Sequence, residues 1–232
     1  MDFELLINQL ASTQIPFIPK HPPIEMNHSV APHQDPLCLT LHDHQNDWWR
    51  HSKIFDQIST DQLEVIENTK VYSLYTSFLS LVSHQYNLSC TYQQKQAYVE
   101  GLITYLCAKL NDPIIQSQVA LETSVLIDEI KNSTCSISSN VIIYIASVFD
   151  LNIIVIPLGD SSQFHPELYY HEASYDMCKP HIMLGRDMEG IYHAIMYSGQ
   201  SLINYHEHAI IKKLIDGDGI LHPTYKNKKI DS

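Results

Sequence analysis

Leu74, Phe78, Leu81 and Val82 recur at i, i+4, i+7 and i+8, which makes one continuous apolar face of a helix within the stretch 70–86. The helix is predicted to begin at Ser73. Val99, Leu102, Ile103, Leu106 and Leu110 mark a second, longer helix over 92–110, after a turn at 87–91, and Asn111-Asp112-Pro113 stops it. A third helical run over 114–131 turns Val119, Leu126, Ile127 and Ile130 inward. The cap-rich loop 133–140 leads into a short, very apolar helix over 141–149. Asp150-Leu151-Asn152 then turns the chain into Ile153-Ile154-Val155-Ile156, four β-branched residues that read as a buried central strand.

The two ends of the chain follow different patterns. Phe3, Leu6, Ile7 and Leu10 allow a short amphipathic turn or two, and six prolines between 15 and 37 then exclude helix or central strand. Ser59 or Thr60 caps an expected helix over 53–67, with Asp61, Glu64 and Glu67 on its polar side. Residues 158–180 read as a polar loop containing Tyr169 and Tyr170. His181-Ile182-Met183-Leu184 and the run 190–197 form a hairpin closed by Gly190. On its second strand Ile191, His193, Ile195 and Tyr197 share one face and Tyr192, Ala194 and Met196 the other. A last helix is expected over 204–215, followed by a mobile tail. A helix feeding directly into a central strand indicates an α/β (α+β) domain with a small sheet packed between helices.

Composition narrows the class. The 232 residues, 44% of them hydrophobic, suffice for one large or two small domains with a substantial core. A net charge of −12 argues against a nucleic-acid binder, which needs phosphate contacts, and leaves open a partner with a basic rim. No run approaches the ~18 apolar residues of a membrane span, and the acidic start Met1-Asp2-Phe3-Glu4 is unlike a signal peptide. Cys38, Cys90, Cys107, Cys135 and Cys178 are odd in number and widely spaced, as in a cytoplasmic protein with reduced thiols. Cys38, His42, His44 and His51 could in principle ligate zinc, but only His42 and His44 are closely spaced, so no metal is expected; a connector anchored by Trp48 or Trp49 accounts for them better. Pro16-x-x-Pro19 lacks the basic flanks of a polyproline ligand.

Candidate chemistry concentrates at two residues. Ser73 at a helix start faces unpaired N–H groups and the positive end of the helix dipole, a setting that suits either a cap or a nucleophile. His193, mid-strand among apolar neighbours, is either a satisfied core residue or a base. Cys135, in the loop ahead of the helix over 141–149, is an alternative nucleophile.

In its order of parts the chain resembles the OTU (ovarian tumour) family of cysteine deubiquitinases over residues 66–200. The shared parts are a helix with a nucleophile-position residue at its start, a second helix, a loop–helix–strand from Cys135 to Ile156, and a closing hairpin whose second strand bears His193. The resemblance implies an OTU-like papain-type cysteine protease fold without a cofactor. It sets the family's Asp-Gly-Asn-Cys signature on Lys70, Val71, Tyr72 and Ser73, with Leu74-Tyr75 as the apolar pair, and the family's base on His193. The departures are several. Lys70-Val71-Tyr72 stands in the oxyanion loop, where Val71 is a poor occupant of φ > 0. Ser replaces the thiol, and Ile195 stands where the family has the Asn or Asp that orients the histidine. Loss of three such elements is severe for catalysis.

The expected organisation is an N-terminal segment and Pro-rich arm at 1–37, a connector and helix at 38–65, the OTU-like domain at 66–200, and a C-terminal helix and tail at 201–232. The resemblance implies a degenerate relative, a pseudoenzyme that binds ubiquitin or a ubiquitin-like protein or serves as an interaction module. The alternative is a working isopeptide hydrolase using Ser73 or Cys135 with His193. No nucleic acid or membrane partner is expected. Limited proteolysis followed by mass spectrometry should cut first within 15–37, where the prolines remove donors and helix continuity. First cuts inside 66–200 with this arm intact would contradict that expectation.

Overall fold

The computed structural model describes residues 63–66, 68, 71–88, 91–113, 122–132, 137–158, 165–171, 175–206, 208–216 and 220–224. The Pro-rich arm, the Cys38–His51 cluster, Lys70, Val119, Cys135, most of the helix expected over 53–67 and the end of the tail lie outside the described residues.

Five strands make one mixed sheet in the order β1 (Leu63–Ile66), β5 (Tyr192–Tyr197), β4 (His181–Arg186), β2 (Asn152–Pro157), β3 (Glu167–Tyr169). β2 runs parallel to β4, with Ile153 opposite Ile182 and Val155 opposite Leu184; the other pairs are antiparallel. The β-branched run is thus an interior strand beside the hairpin. Its residues 153–156 are essentially inaccessible to solvent, as a strand covered on both faces requires.

Helices cover one face. α1 (Ser73–Val82) is buried over all ten residues, and Ser83 ends it in extended geometry. The Ser83 hydroxyl then accepts from Tyr86 N–H at 3.1 Å and starts the short α2 (His84–Leu88). α3 (Tyr92–Lys109) opens on a reciprocal capping box between Thr91 and Gln94 and buries Val99, Leu102 and Leu106. α4 (Thr123–Lys131) and α5 (Ser139–Phe149) complete the layer, and Asp150 closes α5 in the left-handed region at φ 53°. The other face is smaller: Ile154, Ile156, Met183 and Ile195 pack there with Ile203 and with Ile211 and Leu214 of α6 (Ala209–Asp216). Gly185 lies opposite His193 on this face, where a Cβ would come within 2.9 Å of Leu158 Cγ.

Several sequence expectations need correcting. Residues 63–66 are an edge strand paired with β5, not the end of a helix. The loop expected over 158–180 contains β3, whose Tyr169 is fully buried opposite Ile153. The last helix begins at Ala209 rather than 204, and residues 84–88 are helical where the turn was to begin at 87. Among the described residues, no helix is long and apolar enough to cross a membrane.

Asn152 and His181 are opposite one another at the start of the parallel pair, and both are completely buried. Asn152 Nδ2 donates to Asp176 C=O at 2.8 Å and lies 3.2 Å from His181 Nε2, which is also 3.0 Å from Tyr175 Oη. An amide N–H against Nε2 leaves the imidazole proton on Nδ1. Burial pulls His181 down from 6.5 to about 4, against the opposing pull of the Ile203 and Lys179 backbone. Between these values the unfolded chain binds a proton that the folded chain refuses, so stability is full above 6.5 and falls as pH drops toward 4. The expected loss from this residue is up to about 3 kcal/mol. Urea unfolding across that window should show the fall, and His181→Gln should flatten it; an unchanged slope in the variant would contradict the assignment.

Candidate functional site

The site is built where β1 ends. Ile66 pairs with Ala194, the last pair of that ladder. Two residues nearer the hairpin turn, the backbone of Tyr192 bonds side chains instead. Ser73 Oγ accepts from Tyr192 N–H at 3.1 Å, and Ser77 Oγ donates to Tyr192 C=O at 2.9 Å. Residues four apart lie on one helix face, so consecutive turns of α1 take the donor and the acceptor of one strand residue. Asn68 joins them, its Nδ2 donating to Ser77 Oγ at 2.7 Å.

Ser73 is 4% exposed. Its hydroxyl does not cap α1; the N-cap residue is Tyr72, which makes no side-chain cap bond. Tyr72 is in the left-handed region at φ 58°, ψ 22°. The strain expected at Val71 therefore falls one residue later, and Val71 is half exposed with no positive φ. A non-glycine residue there costs about 1–2 kcal/mol. Tyr72 C=O is held by Thr76, from N at 3.0 Å and from Oγ1 at 3.2 Å.

His193 is equally buried, at 4% exposure. Strand alternation sends its side chain to the α6 face with Ile195, whereas Tyr192 and Ala194 face the α1 layer. Nδ1 accepts from Asn68 N–H at 3.3 Å, and Nε2 is 3.1 Å from Asp187 Oδ2. An N–H donor at Nδ1 places the ring proton on Nε2, which donates to the carboxylate. Asp187 is itself locked: Oδ1 accepts from Glu189 N–H at 2.9 Å and from Ile191 N–H at 2.8 Å.

The structure thus brings Ser73 and His193 to adjacent residues of β5 without a hydrogen bond between them. Ser73 Oγ meets the Tyr192 backbone, and the His193 ring meets Asn68 and Asp187. Ile195, where the resemblance sets the orienting residue, is buried among apolar side chains. Asp187, Asn68 and Ser77 were missed in the sequence. Asp187, just past the end of β4, becomes visible as a partner only through the register, which sets Gly185 opposite His193 and places the residue two further on diagonal to it on the same face.

A cleft of about 260 Å³ opens beside the hairpin turn, where β2 and β4 end; Pro157, Leu158, Arg186, Asp187, Met188 and Tyr192 contribute to its wall. Arg186 is 3.6 Å from Glu167 Oε2, which accepts from Tyr169 Oη–H at 2.6 Å. Desolvation and the hydrogen bond to Glu167 push the Tyr169 phenol far above its ordinary value, so it stays protonated. Cys107 and Cys178 are free thiols, and burial raises Cys107. Among the described residues, no three His, Cys, Asp or Glu side chains converge as metal ligands.

Compared with known proteins, the sequence matches no protein-family model and no curated protein.

Removing either α1 hydroxyl leaves a buried backbone group of Tyr192 unpaired, at a cost of about 1–3 kcal/mol. Ser73→Ala and Ser77→Ala should each lower the urea midpoint accordingly, and the pair should deviate from additivity because both act on one residue. Ser124→Ala, at an exposed position of α4, should fall within about 0.5 kcal/mol of the parent. Equal effects at all three positions would show that the Tyr192 contacts contribute nothing.

Proposed function

We propose that the chain is an OTU-like domain without hydrolase chemistry, which acts by binding ubiquitin or a ubiquitin-like protein. The observation that carries the loss of chemistry is the state of Ser73 Oγ, buried and accepting from Tyr192 N–H. A serine nucleophile needs a base positioned to take its proton as the new bond forms. Here the candidate base has its ring on the opposite sheet face, bonded to Asn68 and Asp187. The half-exposed Val71 and the left-handed Tyr72 replace the loop that would present N–H groups to an oxyanion.

The family reading is supported by the order of parts: α1 headed by Ser73, α3, α5 leading into β2, and the β4–β5 hairpin bearing His193. The net charge of −12 supports a partner with a basic rim, since opposed potentials speed encounter and favour the correct partner. As an interaction module the domain would keep its scaffold, which rests on packing, while its catalytic positions drift.

The test has two arms. Purified protein should give no cleavage of a ubiquitin-derived fluorogenic substrate, and Ser73→Cys alone should restore little. Titration of labelled ubiquitin and ubiquitin-like proteins should produce saturable shifts that weaken with salt. Robust cleavage abolished by Ser73→Ala or His193→Ala would overturn the loss of chemistry. Cleavage abolished by Cys135→Ala would move the nucleophile to that thiol. Failure to bind any of these proteins would remove the partner class.

A further inference from the structure

We infer that Asp187 is the positioning residue of His193, supplying from the hairpin turn the orienting group that Ile195 cannot and fixing the tautomer of the ring. The inference rests on the OTU-like reading for its catalytic meaning, and on geometry alone for its structural content. Asp187 Oδ2 is 3.1 Å from His193 Nε2, with only 16% and 5% of the respective side chains exposed. A surface ion pair would be loosely held; this carboxylate is fixed by two backbone N–H groups on its other oxygen. Asp187 N–H donates to Ile191 C=O at 3.0 Å and Gly190 N–H to Asp187 C=O at 3.1 Å, so the turn itself aims the side chain. Gly190, at φ 80°, permits that turn.

The chemistry is specific to a carboxylate. One oxygen must accept from Glu189 and Ile191 while the other accepts from the ring, a demand that an amide cannot meet. In Asp187→Asn the oxygen goes to the two backbone donors, and the NH₂ turns to Nε2 and can only donate. The ring proton must then move to Nδ1, where it opposes Asn68 N–H. Asp187 therefore selects the tautomer in which Nδ1 is the basic nitrogen. In a histidine-dependent hydrolase, loss of the correct tautomer costs far more than tenfold in rate.

Ring ¹⁵N shifts of His193 in the full-length protein at neutral pH provide the first test. The parent should show protonated Nε2 and bare Nδ1, and Asp187→Asn should move the proton to Nδ1, whereas Ile195→Asn should leave the pattern unchanged. A parent ring protonated at Nδ1, or spectra indifferent to Asp187→Asn, would overturn the inference. The second test grafts Lys70→Asp, Val71→Gly, Tyr72→Asn and Ser73→Cys together and leaves Ile195 in place. Turnover of the fluorogenic ubiquitin substrate should then change less than threefold on adding Ile195→Asn and fall at least tenfold on adding Asp187→Asn. Turnover that depends on Ile195→Asn and ignores Asp187→Asn would also overturn it. If the ¹⁵N pattern behaves as expected but no graft turns over, the OTU-like reading fails and the positioning of His193 by Asp187 stands.

Discussion

The backbone of Tyr192 sets the terms for the rest of the domain. β5 lies between β4 and a β1 that ends at Ile66, so beyond Ala194 one edge of β5 has no strand to pair with. A buried, unpaired N–H and C=O together would cost several kcal/mol. Ser73 and Ser77 take up both. That requires small side chains with hydroxyls on this face of α1, close against the strand, and it accounts for Ser73 and Ser77 within a helix buried along its whole length. It also gives a physical reason for serine at 73. A hydroxyl oxygen is a good acceptor for a buried N–H, while thiol sulfur is a weak one. A hydroxyl at 73 therefore ties helix to sheet more strongly than a thiol would.

Strain and compensation around this seam are local. Tyr72 takes up the left-handed turn into α1, and its carbonyl is doubly bonded by Thr76, so the distortion is held by the helix it initiates. Asn68 ties the chain between β1 and α1 to both His193 and Ser77. The imidazole therefore has work as a structural bond whether or not it has a reaction to serve.

The parts of the fold that could be read from the sequence are those whose signal is periodic and local. α1, α3 and α5 show apolar stripes, β2 is an unbroken β-branched run, and the hairpin alternates around a glycine turn. β1 was hidden because Leu63-Glu64-Val65-Ile66 follows a plausible cap and sits among acids at helical spacing, while its partners are far along the chain at 194–197. β3 is three residues long, too short to show a period of two, and Tyr169 is buried only because Ile153 lies opposite it. At the site, Ser73 and His193 could be singled out as residues but not their partners. Asp187 reads as a turn residue, and only the strand register turns it toward the ring.

Charge in and around the cleft is compensated pair by pair. Arg186 is matched by Glu167, which also receives the Tyr169 hydroxyl, and His193 is matched by Asp187. Each pair is largely shielded from water, so removal of one partner would leave the other desolvated and drive the site to rearrange. The half-buried Arg186, already opposed by Glu167, offers little net charge to an anionic group. At its tip the turn presents Met188, 70% exposed, beside the exposed Glu189, while Pro157 and the buried Leu158 line the cleft.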